Sequence, residues 1–88
     1  MANNKSAEKR IRQNERRRDR NRSYRSRMRT TIKKLRAAIE SGDADNARGL
    51  LASTVSIIDK TAQKGVIHAN TAARFKSRLT KQVDALAS

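Results

Sequence analysis

Arg16-Arg17-Arg18-Asp19-Arg20-Asn21-Arg22-Ser23-Tyr24-Arg25-Ser26-Arg27-Met28-Arg29-Thr30-Thr31-Ile32-Lys33-Lys34-Leu35 changes character midway without changing period. Forward from Tyr24, apolar residues recur at helical spacing: Tyr24, Met28, Ile32, Leu35, Ile39. Such a stripe is the core-facing side of an α-helix. Followed backward, the same side reads Asn21, Arg17, Asn14, Arg10. No partner helix packs on that seam, because unpaired charge taken out of water costs more than packing returns. One long helix is therefore expected, its C-terminal half in a bundle and its N-terminal half outside.

The remaining chain supplies the partners. Ser41-Gly42-Asp43 reads as a helix stop, a C′ glycine and the N-cap of the next helix. Lys64-Gly65 reads as a second stop. The third helix starts near His68 to Asn70, since either side chain accepts a hydrogen bond from a free backbone N–H. Three helices are expected, over about residues 6–41, 44–64 and 69–86. The second stripe is Ala47, Leu51, Val55, Ile58 and Ala62, widened by Leu50; the third is Ala72, Phe75, Leu79, Val83 and Leu86. Val66 and Ile67 plug the end of the bundle. Short links make sequential helices antiparallel. The expected fold class is all-α, a three-helix bundle with a long N-terminal helix overhanging it. At about 1.5 Å per residue the second helix covers roughly 31 Å, and the first matches it from Asn21 onward. What precedes Asn21 overhangs by more than about 20 Å. Residues 1–23 read as a basic extension and 24–88 as the bundle, one domain in all.

Charge follows the same division. The 88 residues carry a net charge of +14. Residues 1–38 hold 15 Lys and Arg against three acids, net +12; residues 39–88 hold seven against five, net +2. Like charges at that density repel and destabilise a compact state. A polyanion neutralises them and releases its own counterions, so nucleic acid is the expected partner. Eleven of the fifteen are Arg, whose planar guanidinium bonds phosphate bidentately and stacks on bases. Arg12, Arg16, Arg20, Arg22 and Arg25 join the seam residues in this reading, and Asn14, Asn21, Ser23 and Ser26 can donate to phosphate or ribose oxygens. Glu8, Glu15 and Asp19 fall within roughly 40° of one another at 100° per residue, opposite the seam. Pairs Glu8–Arg12, Glu15–Arg18 and Asp19–Arg22 are expected to support the helix. A rod with one face kept from phosphate fits a cleft in folded RNA. Arg74, Arg78 and Lys81 form a second basic face on the third helix.

Composition excludes several classes. There is no Cys, hence no disulfide scaffold and no thiolate zinc site. The single His has no catalytic companion in a recognisable motif, and there is no glycine-rich phosphate loop. No catalytic residue, metal, cofactor or small-molecule substrate is expected. The N-terminus lacks an apolar signal region, and no apolar run reaches the roughly 20 residues of a membrane span. The expected location is the cytoplasm. The core is thin and aliphatic, with Tyr24 and Phe75 the only aromatics, so partner binding is expected to supply part of the folding free energy.

Three segments carry a resemblance. They are Ala2-Asn3-Asn4-Lys5-Ser6-Ala7-Glu8-Lys9-Arg10, Met28-Arg29-Thr30-Thr31-Ile32-Lys33-Lys34, and Lys64-Gly65-Val66-Ile67-His68-Ala69-Asn70-Thr71-Ala72-Ala73-Arg74-Phe75-Lys76-Ser77-Arg78-Leu79. Together, over essentially the whole chain, they resemble the bacterial small-subunit ribosomal proteins numbered twenty. The resemblance implies a three-helix bundle bound to small-subunit (16S) ribosomal RNA among other ribosomal components. It implies contacts from Lys5, Lys9, Arg10, Arg17 and Arg18 on the tail. It extends them to Arg29, Lys33 and Lys34 along the helix, and to His68, Asn70, Arg74 and Arg78 near the third helix. Glu8 and Asp19 depart from the family pattern, where basic or neutral residues are implied.

Two other classes compete. A basic-region DNA-binding dimer needs several heptads beyond the basic run, and Gly42 stops the helix after about two. A membrane-surface helix needs a broad apolar face beside its cationic one, and the extension offers only Ala7 and Ile11. Neither a membrane nor a second copy of the chain is an expected partner.

Overall fold

The computed structural model describes residues 2–87; Met1 and Ser88, the outer ends of the expected extension and bundle, lie outside the described residues. Three helices follow one another: α1 (Ala2–Glu40), α2 (Ala44–Gln63) and α3 (Ala69–Ala87). α1 begins four residues earlier than expected. No Gly or Pro interrupts residues 2–40, and Arg, Lys and Ala are strong helix formers.

Both turns are Schellman closures. Gly42 has φ 74° and Gly65 φ 76°, the left-handed region that costs a side chain but not glycine. Gly42 N–H donates to Ile39 O (3.1 Å) and Asp43 N–H to Ala38 O (3.2 Å). Gly65 N–H donates to Ala62 O (2.9 Å) and Val66 N–H to Thr61 O (3.1 Å). Otherwise orphaned helix-end carbonyls are thereby satisfied. Asp43 then caps α2, its Oδ1 accepting from Asn46 N–H at 3.2 Å. Val66 is buried and Ile67 partly so, which closes the end of the bundle as expected.

Buried apolar side chains form one cluster: Met28, Ile32, Leu35 and Ala38 from α1, Ala47, Ile57 and Ile58 from α2, Ala72, Leu79 and Val83 from α3. Tyr24, Ile39, Leu50, Leu51, Ala62, Ile67, Phe75 and Leu86 pack around it. The first and third stripes stand as read. The second needs correction. Thr54 and Thr61 are fully buried and Ile57 is buried, while Val55 is only partly covered. The reason is that the three helices do not close symmetrically. α2 packs closely on both α1 and α3, whereas α1 and α3 scarcely meet. A central helix needs an apolar face wide enough for two neighbours. Thr54 and Thr61 join it because each hydroxyl donates to the carbonyl four residues back, to Leu50 O and Ile57 O, both at 2.6 Å. The polar atom is satisfied within the helix and the methyl is left for packing.

One ion pair ties α3 to α2, Lys76 Nζ to Asp59 Oδ1 at 2.8 Å. It is largely exposed and contributes about 0–1 kcal/mol. The pairs expected along the extension, Glu8–Arg12, Glu15–Arg18 and Asp19–Arg22, do not form; among the described residues Lys76–Asp59 is the salt bridge present. On a solvated rod, the rotamer entropy of holding two long side chains together cancels the screened attraction.

The molecule measures 67 × 21 × 14 Å with a radius of gyration of 17.7 Å. A compact chain of this length has about 12 Å. Its accessible surface is 6751 Å², against about 5,200 Å² for a compact monomer of its mass. Both excesses come from one element, the unpacked half of α1.

Candidate nucleic-acid interface

Every residue from Lys5 to Arg20 is exposed. Lys5, Lys9, Arg10, Arg12, Arg16, Arg17, Arg18 and Arg20 stand on this rod with Asn14, and none is engaged in an ion pair. Ile11, a large apolar side chain, stays 56% exposed there. Asn21 is the first side chain with partial cover, where the seam meets the bundle. Its Oδ1 is enclosed without a hydrogen-bond partner. The carbonyl is thus turned from solvent, and only its NH2 group remains for an outside acceptor.

Beyond Asn21 the basic residues continue on the outer sides of α1, now with a core behind them. Arg22, Arg25, Arg29, Lys33 and Lys34 are exposed. Arg27 lies over the Tyr24 ring, its guanidinium carbon 5.9 Å from the centroid, within cation–π range. The structure gathers Arg25, Arg29 and Lys33 with Arg36 along one groove between α1 and α3. Lys34 lies apart, on the opposite edge beside Ser41, Asn46 and Leu50. Arg36 was not among the expected contacts. Its signal was present in the spacing 25, 29, 33, 36, which keeps one side of the helix.

On α3, Arg74, Arg78 and Lys81 are exposed on the side away from the core. His68 and Asn70 act first on their own backbone. His68 O accepts from Ala72 N–H at 3.1 Å, and His68 Nδ1 accepts from Asn70 N–H at 3.1 Å. His68 is therefore the side-chain cap of α3, on an exposed residue. Among the described residues no group of His, Cys, Asp or Glu is placed to hold a metal ion. No helix of the described residues is long and apolar enough to cross a membrane.

A small bundle carrying a bare cationic rod defines a class: a helical protein with a projecting basic extension. The model of the ribosomal protein S20 family matches residues 2–84. The small ribosomal subunit protein bS20 of Desulfatibacillum aliphaticivorans is 55% identical over 87 residues, 99% of each chain. That of Geobacter metallireducens is 54% identical over 86 residues, 98% of this chain and 99% of its own. That of Desulforapulum autotrophicum is 60% identical over 83 residues, 94% of this chain and 99% of its own. The chain belongs to the S20 family of small-subunit ribosomal proteins. It is accordingly a structural component of the ribosome and not an enzyme, and its place is the cytoplasm, on the ribosome.

Proposed function

We propose that the chain binds small-subunit (16S) ribosomal RNA directly, through the Arg-rich N-terminal half of α1 inserted among RNA helices, and stabilises the folded RNA. Residues 1–23 act as the RNA-contacting extension and 24–88 as the bundle that anchors and aims it. The observation that carries this reading is the wholly exposed rod from Lys5 to Arg20, eight cations against three acids with no protein partner. Folded RNA removes the mutual repulsion of those cations and gains the entropy of released counterions. Glu8, Glu15 and Asp19 share the side opposite the seam, so one side of the rod faces solvent and the others face phosphate. Arg29, Lys33 and Lys34 extend the contact along α1, and Arg74, Arg78 and Lys81 extend it across α3. His68 contributes Nε2, and Asn70 its side-chain amide.

The dimeric DNA-binding alternative lacks a surface. The side of α1 that a zipper would use is buried against α2, and Gly42 at φ 74° ends the helix. The test is filter binding of the full chain to small-subunit ribosomal RNA over a salt series. With about 6–10 phosphate contacts, affinity falls 10³–10⁵-fold between 50 and 200 mM salt. Salt-independent binding overturns the proposal. So does a stable homodimer that prefers duplex DNA.

A further inference from the structure

α1 and α3 diverge around a groove of about 700 Å³. Its floor is apolar: Met28 and Ile32 from α1, Ile67 from the turn, Phe75 from α3. Its α1 rim carries Arg25, Arg29, Lys33 and Arg36, successive cations about 4.5–6 Å apart along the axis. Going round α3 from the core at 100° per residue, Phe75 leads on to Arg78 and then Arg74. Those two Arg lie beyond the groove, so its cationic flank is the α1 rim. Glu40 is the acid at the groove, at its far end.

We propose that this groove receives the base of an unpaired RNA nucleotide, stacked on Phe75, while Arg25, Arg29, Lys33 and Arg36 hold the adjoining phosphates. The proposal rests on the ribosomal-RNA reading above and names the feature of the RNA that the bundle itself recognises. The chemistry selects the occupant. A paired RNA surface presents phosphates and ribose hydroxyls, which an apolar floor leaves unsatisfied. An unstacked base presents a π face with its phosphates alongside, and RNA is read chiefly through such bases on aromatic rings. The chain has two aromatic residues. Both pack at the edge of the core, and Phe75 is the one left half-covered in this groove. An open apolar floor of this kind on a small chain marks a contact surface, and the row of four cations on its α1 rim makes that contact an anionic one.

The chain contains no Trp, so Phe75→Trp places a single indole reporter in the groove. Full-length Phe75→Trp is titrated with protein-free small-subunit ribosomal RNA while binding is followed separately by filter retention. The expected result is loss of indole emission as the complex forms, with the residual emission shielded from acrylamide. In the otherwise native chain, Phe75→Leu keeps the floor apolar, leaves a cooperative thermal melt lowered by only a few degrees for the lost ring packing, and weakens binding at a temperature well below that melt by roughly tenfold, the order of one base–aromatic stack. Its salt slope stays that of the native chain, because no phosphate contact is lost. Arg25→Gln with Arg29→Gln instead flattens the slope by about two contacts. Retention on the filter with unchanged emission overturns the groove proposal and leaves the RNA-binding reading standing. Shielding from acrylamide without loss of emission assigns the groove to a paired surface and overturns it. Emission that changes only when other ribosomal proteins are added assigns it to a protein, and likewise overturns it. Absence of retention removes the RNA-binding reading itself.

Discussion

Reversing charge at Arg10 and Arg17 separates the rod from the bundle most cleanly. Both residues are exposed and share the seam that continues the core side of α1. They stand seven residues apart, about 10.5 Å along the axis, so each faces its own phosphate. In the counterion-release treatment each lost contact lowers the slope of log K against log salt by about 0.9. Two contacts lower it by about 1.8, roughly 60-fold in affinity at 0.1 M salt for neutralisation alone. Glu in place of Arg adds repulsion, so Arg10→Glu with Arg17→Glu loses more than this. Neither side chain touches the core, and Glu and Arg have similar helix propensity, so the thermal melt of the bundle is unchanged. Filter binding at several salt concentrations gives the slope, and circular dichroism at 222 nm gives helicity and melting. A double variant whose slope equals that of the native chain would show that the seam does not face RNA. A parallel fall in melting temperature would show that the seam packs on protein after all.

The bundle answers to different substitutions. Leu79 is 1% exposed at the centre of the core, and Leu79→Ala costs about 2–5 kcal/mol. In a domain this small each kcal/mol lowers Tm by about 4–8 °C, so an unshifted melt would remove Leu79 from the core. Gly65→Ala introduces no clash, since nothing lies within 4 Å of the added Cβ. The left-handed backbone at φ 76° nevertheless costs about 1–2 kcal/mol with a side chain present, read as a lower urea midpoint. Asp43→Ala removes the cap of α2 and costs about 1 kcal/mol. Asp43→Ser, which restores the acceptor, recovers most of it in the same denaturation experiment. Lys76→Ala breaks the Asp59 pair and shifts stability by no more than about 1 kcal/mol, because both partners are largely solvated.

How much was legible depends on whether a residue's role is local. Gly42, Asp43 and Gly65 act within a few residues of themselves, and turn chemistry alone identifies them. His68 was legible as a helix-start acceptor for the same reason, and the structure adds that its partner is Asn70 N–H. The stripe from Tyr24 to Ile39 and its replacement by Arg and Asn before Asn21 are matters of period, and these place the limit of the bundle. Thr54 and Thr61 were not legible. Threonine counts as polar in a pattern of apolar residues, and only its bond to the carbonyl four back makes it suitable for a core. The expected pairs of Glu8, Glu15 and Asp19 failed because spacing shows which side chains are able to meet, not whether meeting repays the lost rotamer freedom.

From residues alone follow three helices, their stops, a net positive rod and the absence of anything to bury along it. These are properties of neighbours along the chain: backbone conformation at glycine, side-chain acceptors at caps, hydrophobic period and charge density. The tertiary structure alone decides that α2 stands between the other two helices and that α1 and α3 part. That outcome depends on the widths of three apolar faces packed together, a comparison no single helix contains. The groove floored by Phe75 and rimmed by Arg25, Arg29, Lys33 and Arg36 exists only because those two helices fail to close on one another.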